Sequence, residues 1–280
     1  MKKTITEKAV IKFEKHLEQN EKSRATIDKY SRDVRAFLSR CGGDGITKED
    51  VILYKKTLIE SGFAARSINS MIASLCSFFS FVGRDDLKVK PIKIQKEIYR
   101  PEEKELTKSE FIRLCKAAEN AKNNRLLLIL QTICGTGIRV SELEYITCDA
   151  VRRGVASVRC KGKTRDVFLV RDLQKKLLRY AAEQNIKSGC IFITRTGKPV
   201  NRSNIWREMK ALCADACVSP TKVFPHNLRH LFARVFYGID KDIAKLADIL
   251  GHASINTTRI YIISTGTEHR RRMENMHLIM

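Results

Sequence analysis

The sequence predicts a mainly α protein with a small β-sheet, and three observations predict it. Apolar residues recur at three- and four-residue intervals through residues 6–84, the spacing that lines one face of a helix. A period of two occurs in one main place: Val155 to Arg159 and Thr164 to Val170 flank the tight turn Cys160-Lys161-Gly162-Lys163, which reads as a hairpin. The chain has 280 residues and is 43% apolar, enough for two domains of ordinary size with their own cores.

Taken in order, residues 6–84 read as four helices. Ala9, Val10, Phe13 and Leu17 give the first its stripe, and Ile27, Tyr30, Val34, Phe37 and Leu38 the second. Gly42, Gly43 and Gly45 break the chain. Thr47 with Asp50 forms a capping box before the third. The fourth carries Ile68, Ile72, Leu75, Phe78 and Phe79, a core stripe. Residues 87–104 contain Pro91 and Pro101, which discourage helix, and, as far as Glu103, five cations, Lys88, Lys90, Lys93, Lys96 and Arg100. They read as a basic linker, with a domain of residues 1–86 before it and one of residues 105–280 after it.

The second domain begins with a capping box, Thr107 and Glu110, before FIRLCKAA. RLLLILQTIC, residues 125–134, reads as a buried helix stopped by Gly135-Thr136-Gly137. Arg139 falls at the start of the next helix, and Glu142 is placed to pair with an arginine or orient the site. After the hairpin, a helix is expected from Asp172 to Gln184, a short strand over CIFIT (residues 190–194), and a helix from Ser203 to Cys217. Pro225 suits the first turn of another helix, and Gly238 is well placed to close it. Asp242 to Leu250 reads as a helix stopped by Gly251, and Ser254 as the cap of a third helix carrying Tyr261. Met273, Met276, His277 and Met280 share a face if the terminus is helical.

Lys and Arg number 53 against 31 Asp and Glu, a net charge of +22. That excess points to a polyanion, nucleic acid before membrane surface. No apolar run reaches the roughly 18 residues of a membrane span, and the first residues lack the apolar core of a signal peptide; the cytoplasm is the expected location. Nine cysteines are scattered without a C-x-x-C and read as free thiols. There is no Walker loop, G-x-G-x-x-G, HExxH or EF-hand, so neither nucleotide hydrolysis nor a dedicated metal cage is indicated.

The chemistry concentrates in Phe224 to Tyr261, which holds His226, Arg229, His230, His252 and Tyr261. His226 and Arg229 share a face in the first turn of a helix. Cations are disfavoured at that positive end unless an anion docks there. With Arg139, two guanidiniums can clamp the non-bridging oxygens of a phosphodiester. Tyr261 is a candidate nucleophile once a base and positive charge activate its phenol. Lys161, at the hairpin tip, can donate a proton to the leaving oxygen.

These residues resemble a known family. TGIRVSELEYI around Arg139, VRCKGKTRDVFL around Lys161, PHNLRHLFA around His226 and Arg229, and LGHASINTTRIY ending in Tyr261 match, in order, the motifs of the tyrosine recombinases, or phage-type integrases, including their Xer branch. SINSMIASLCSFFSFV looks like that family's N-terminal DNA-binding module. The resemblance implies a SAM-like helical bundle followed by the family's catalytic domain. Its six catalytic positions fall on Arg139, Lys161, His226, Arg229, His252 and Tyr261, with Lys163 an alternative for the lysine. It implies attack by Tyr261 to form a 3′-phosphotyrosine, Lys161 as general acid, His226 as proton acceptor and His252 as its assistant, without ATP, metal or other cofactor. It further implies double-stranded DNA as partner, a homotetramer on two DNA sites formed from a free monomer, and a Holliday junction intermediate. The rival expectations are a type IB-like topoisomerase and a catalytically silent DNA-binding regulator.

Overall fold

A computed structural model describes residues 6–42, 45–95, 102–160, 163–262, 270–271 and 273–276; the side chains of residues 102, 160 and 163 lie outside this description. The chain divides into two compact units, Met1–Lys96 and Glu97–Met280.

The first unit is a helical bundle: α1 (Glu7–Gln19), α2 (Arg24–Cys41), α3 (Lys48–Glu60) and α4 (Ala65–Phe81). The stripes read from sequence point inward. Val10, Phe13, Val34, Phe37, Phe78 and Phe79 are all fully buried, and Phe13 meets Phe78 edge to face at 5.3 Å. Thr47 and Asp50 form the expected capping box. The residues after α4 stay on this bundle. Leu87 is buried, and Asn69 brackets Ile92, donating to its carbonyl at 2.9 Å and accepting from its N–H at 2.7 Å. Lys96 and Arg100, two cations of the linker, lie outside the described residues.

In the second unit, α5 (Lys108–Asn120), α6 (Asn124–Thr136) and α8 (Arg171–Glu183) surround a core that includes Leu114, Ile129, Leu130, Ile133 and Leu177. Between them lie a 3₁₀ turn (Val140–Tyr145), α7 (Cys148–Arg153) and the hairpin β1 (Val155–Cys160) with β2 (Lys163–Phe168). The two strands are antiparallel, with Val155 opposite Phe168 and Cys160 opposite Lys163. Then come α9 (Arg202–Ala211), α10 (Pro225–Asp240), α11 (Ile243–Leu250) and α12 (Ile255–Arg259).

Four local expectations change. Gly238 does not end α10, which runs to Asp240; Lys241 takes the left-handed cap at φ 45. Its ammonium over the Tyr237 ring, 5.5 Å from the centroid, offsets part of that strain. CIFIT is not a strand: Ile191 and Phe192 are both buried, whereas a half-buried strand alternates, and the stretch makes only isolated bridges, Thr147 to Cys190 and Ile193 to Pro199. The helix expected to Cys217 stops at Ala211, and Cys217 sits at φ 49. Finally, α12 ends at Arg259, so Tyr261 follows that helix instead of riding on it. Of the proposed terminal methionine face, His277 and Met280 lie outside the described residues.

Candidate active site

The site is assembled from chain ends that local sequence dictates. Gly137 closes α6 in the left-handed region, at φ 67. A side chain there would meet Phe232 of α10 at 2.5 Å, so glycine lets α6 and α10 approach closely. Arg139 follows two residues later as the cap of the 3₁₀ turn. Pro225 starts α10, which places Arg229 one turn in. Gly251 closes α11 at φ 63 and releases His252. Ser254 caps α12 through the N–H of Asn256, 3.3 Å away, and the chain turns to deliver Tyr261.

Arg229 is the centre. It is 1% exposed, an extreme burial for a guanidinium. Its Nη1 donates to the Gly137 carbonyl. Its Nη2 donates to the Leu250 carbonyl at 2.6 Å and lies 3.1 Å from His252 Nε2. Its Nε is buried with no hydrogen-bond partner among the described residues, which leaves that N–H able to donate to a ligand. Burial and the neighbouring Arg139 pull its pKa down to about 10, against the opposing influence of the nearby Tyr261 phenol. It remains a cation at neutral pH.

His252 is fixed by its partners. A guanidinium only donates, so Nε2 is the acceptor and the ring proton sits on Nδ1. Nδ1 then donates to Thr258 Oγ1 at 2.8 Å. Desolvation, followed by the charges of Arg229, Arg139 and Arg165, pushes the imidazole down to about 4, so it is neutral at pH 7.

Tyr261 is 6% exposed and enclosed by imidazoles. His230 stacks on its ring at 4.0 Å and 14°, His226 meets it edge-on at 5.3 Å, and His252 lies 5.0 Å away. Arg139 is tied to the same turn: its Nη1 and its backbone N–H both bond Glu142, each at 2.8 Å, and its Nη2 reaches the Gly251 carbonyl at 3.4 Å.

The structure therefore brings Arg139, His226, Arg229, His252 and Tyr261 together from three separate stretches of chain. Lys161 lies outside the described residues, and the side chain of Lys163 is likewise undescribed. Three contributors were assigned no role by sequence reasoning. His230 is buried against the phenol. Thr258 accepts the Nδ1 proton of His252 and holds its ring. Arg165, on β2, donates to Glu142 Oε2 at 2.8 Å and to the Ile249 carbonyl at 3.2 Å. A signal for Arg165 existed: it alternates with Val167 and Leu169, both buried, so a cation stands on the strand's inner face. No such signal marks Thr258. Among the described residues, no group of His, Cys, Asp and Glu is arranged to hold a metal ion.

Both units resemble known proteins. Residues 104–268 match the phage integrase family, and residues 10–85 match the phage integrase N-terminal SAM-like domain. Tyrosine recombinase XerA of Thermococcus kodakarensis is 31% identical over 277 residues, spanning 95% of this chain and 94% of that protein. A crystal structure of XerA recombinase is 25% identical, covers 98% of this chain and 99% of its own, and superposes with a TM-score of 0.54. The lambda integrase tetramer bound to a Holliday junction shares the fold, with a TM-score of 0.74 at 19% identity over 93% of this chain and 78% of that one. Two contiguous domain matches and a full-length relative leave one conclusion: the chain belongs to the phage integrase family and is a tyrosine recombinase, an enzyme that acts on DNA.

Proposed function

We propose that this protein is a site-specific DNA recombinase in which Tyr261 is the nucleophile and Arg139 and Arg229 clamp the scissile phosphate. One observation carries the reading: the Tyr261 phenol is held beside a buried guanidinium that still has an unpartnered N–H. The phenolic oxygen attacks phosphorus, and the bond to the 5′ oxygen breaks. Lys161 supplies the proton to that oxygen, leaving a 3′-phosphotyrosine and a 5′-hydroxyl. The phenol's own proton goes to His226, because His252 Nε2 is already occupied by Arg229; His252 assists by holding that guanidinium. Attack by a 5′-hydroxyl from the other duplex reverses the step and exchanges strands, so the phosphate ester energy is retained. The arginines act where the transition state gathers charge, and one such donor is worth roughly 10²–10³ in rate.

The lambda integrase structure is described as a tetramer on a Holliday junction, which supports four copies on two double-stranded sites here; the free protein is proposed to be a monomer in the cytoplasm. Residues 87–104 are read as the basic connection between a DNA-binding unit and a catalytic one. A nicked duplex that traps the covalent adduct tests the scheme. Wild type gives a protein–DNA adduct whose flanking sequence identifies the site, and Tyr261→Phe gives none. Recombination by Tyr261→Phe at the wild-type rate overturns the assignment. Relaxation of supercoiled DNA by a lone monomer, with no junction intermediate, favours a topoisomerase instead.

A further inference from the structure

Three consecutive carbonyls at the C-terminal end of α11 are each taken by a different arginine. Arg165 donates to Ile249, Arg229 to Leu250 and Arg139 to Gly251, at 3.2, 2.6 and 3.4 Å. These are the carbonyls that a helix end leaves without partners, and they carry its partial negative charge. Glu142, 2% exposed, is bonded to two of the three: Oε1 accepts from Arg139 Nη1, and Oε2 from Arg165 Nη2 and the Arg139 backbone. Gly251 completes the arrangement, since a side chain there would strike Arg165 Cδ at 2.5 Å. Only 13% of the Arg165 side chain is exposed.

We infer that Arg165 is a positioning residue for the reaction: through Glu142 and the Ile249 carbonyl it fixes the guanidinium of Arg139 and the Gly251-His252 turn against the scissile phosphate. This rests on the proposed role of Arg139 as a phosphate clamp. The reasoning is geometric. Two hydrogen bonds fix a carboxylate's plane better than one, and Glu142 has one oxygen bonded to each guanidinium. Remove Arg165, and both bonds left to Glu142 come from Arg139, its backbone N–H and its Nη1; nothing among the described residues then ties the Arg139–Glu142 pair to the hairpin, and the guanidinium can shift off the phosphate. The Ile249 carbonyl also loses the strap that holds α11 to the hairpin. A misplacement of about 1 Å at a reacting centre costs on the order of 10²-fold in rate.

The test uses full-length protein and nicked duplexes carrying the cleavage sequence mapped from the trapped adduct. The scissile group is either an ordinary phosphate or a neutral methylphosphonate. With the non-bridging charge removed, a guanidinium that neutralises it becomes dispensable, and so does a residue that only positions that guanidinium. Single-turnover cleavage by Arg165→Gln should fall about 10²-fold on phosphate and less than about tenfold on methylphosphonate, with Arg139→Ala relieved in the same way. If Arg139→Ala is relieved and Arg165→Gln loses equally on both, Arg165 acts elsewhere and the inference is wrong. If Arg139→Ala is not relieved, the clamp reading itself fails and takes the inference with it. Should Arg165→Gln not fold, Arg165→Lys answers the same comparison, since it keeps the charge and loses the second hydrogen bond.

Discussion

At the scale of single residues, the site depends on one buried cation with fixed neighbours. His252 is lowered from 6.5 to about 4, which makes a pH prediction with a definite sign. Above pH 6.5 the imidazole is neutral in both folded and unfolded chains. Between pH 6.5 and 4 the unfolded chain binds a proton that the folded chain refuses, so stability falls as pH falls through that window. The urea midpoint of wild type should therefore drop more over that range than that of His252→Gln. His230 makes a second prediction. If its work is to stack on the phenol at 4.0 Å, His230→Phe should keep most of the cleavage rate, and His230→Ala should lose about tenfold or more by misplacing the nucleophile. Single-turnover adduct formation measures both. Thr258 was invisible to sequence reasoning for a physical reason: a hydroxyl six residues from an imidazole has no periodicity to announce it, and only the turn between α11 and α12 brings them to 2.8 Å.

At the scale of elements, glycines in the left-handed region are not equivalent. Gly137 and Gly197 have similar positive φ, 67 and 75, but only Gly137 faces a close neighbour, Phe232. Gly197→Ala should cost the roughly 1–2 kcal/mol of a left-handed residue, measured by chemical denaturation. Gly137→Ala should cost clearly more and also impair cleavage, because its carbonyl receives Arg229. Thr107→Ala removes a capping box and should cost about 1 kcal/mol without affecting cleavage. Legibility in the sequence followed the same division. Elements with a repeating apolar stripe or a cap, such as α4, α6 and the Thr107 start of α5, could be read because each is decided by neighbours in sequence. The ends of α9, α10 and α12 could not: Lys241 and Cys217 adopt left-handed backbone without being glycine. The residues proposed as catalytic stand out through their motifs, and Arg165 only through strand alternation.

At the scale of the whole molecule, the two units have disjoint cores. One is built on Phe13, Phe37, Phe78 and Phe79, the other on residues such as Ile129, Leu130, Ile133 and Phe192. Separate cores permit separate unfolding, so calorimetry of the full chain should resolve two transitions. The charge of +22 makes a further prediction: DNA affinity should fall steeply with salt, by roughly 0.9 log units per decade for each phosphate contacted. A flat dependence would exclude a mainly backbone-driven interface. Arg229→Ala should abolish cleavage yet retain much of the binding, since the cations are spread along the chain.

With Tyr261 as the proposed nucleophile, its stacking on His230 and its 6% exposure also bear on genome safety. A cutting group roofed by its own protein cannot nick every duplex it brushes against. Random encounters leave the chromosome whole, and breakage waits on whatever rearrangement lifts the ring off its shelf and lets a backbone slide in beneath. Restraint is thus wired into the resting molecule itself, ahead of any reading of bases.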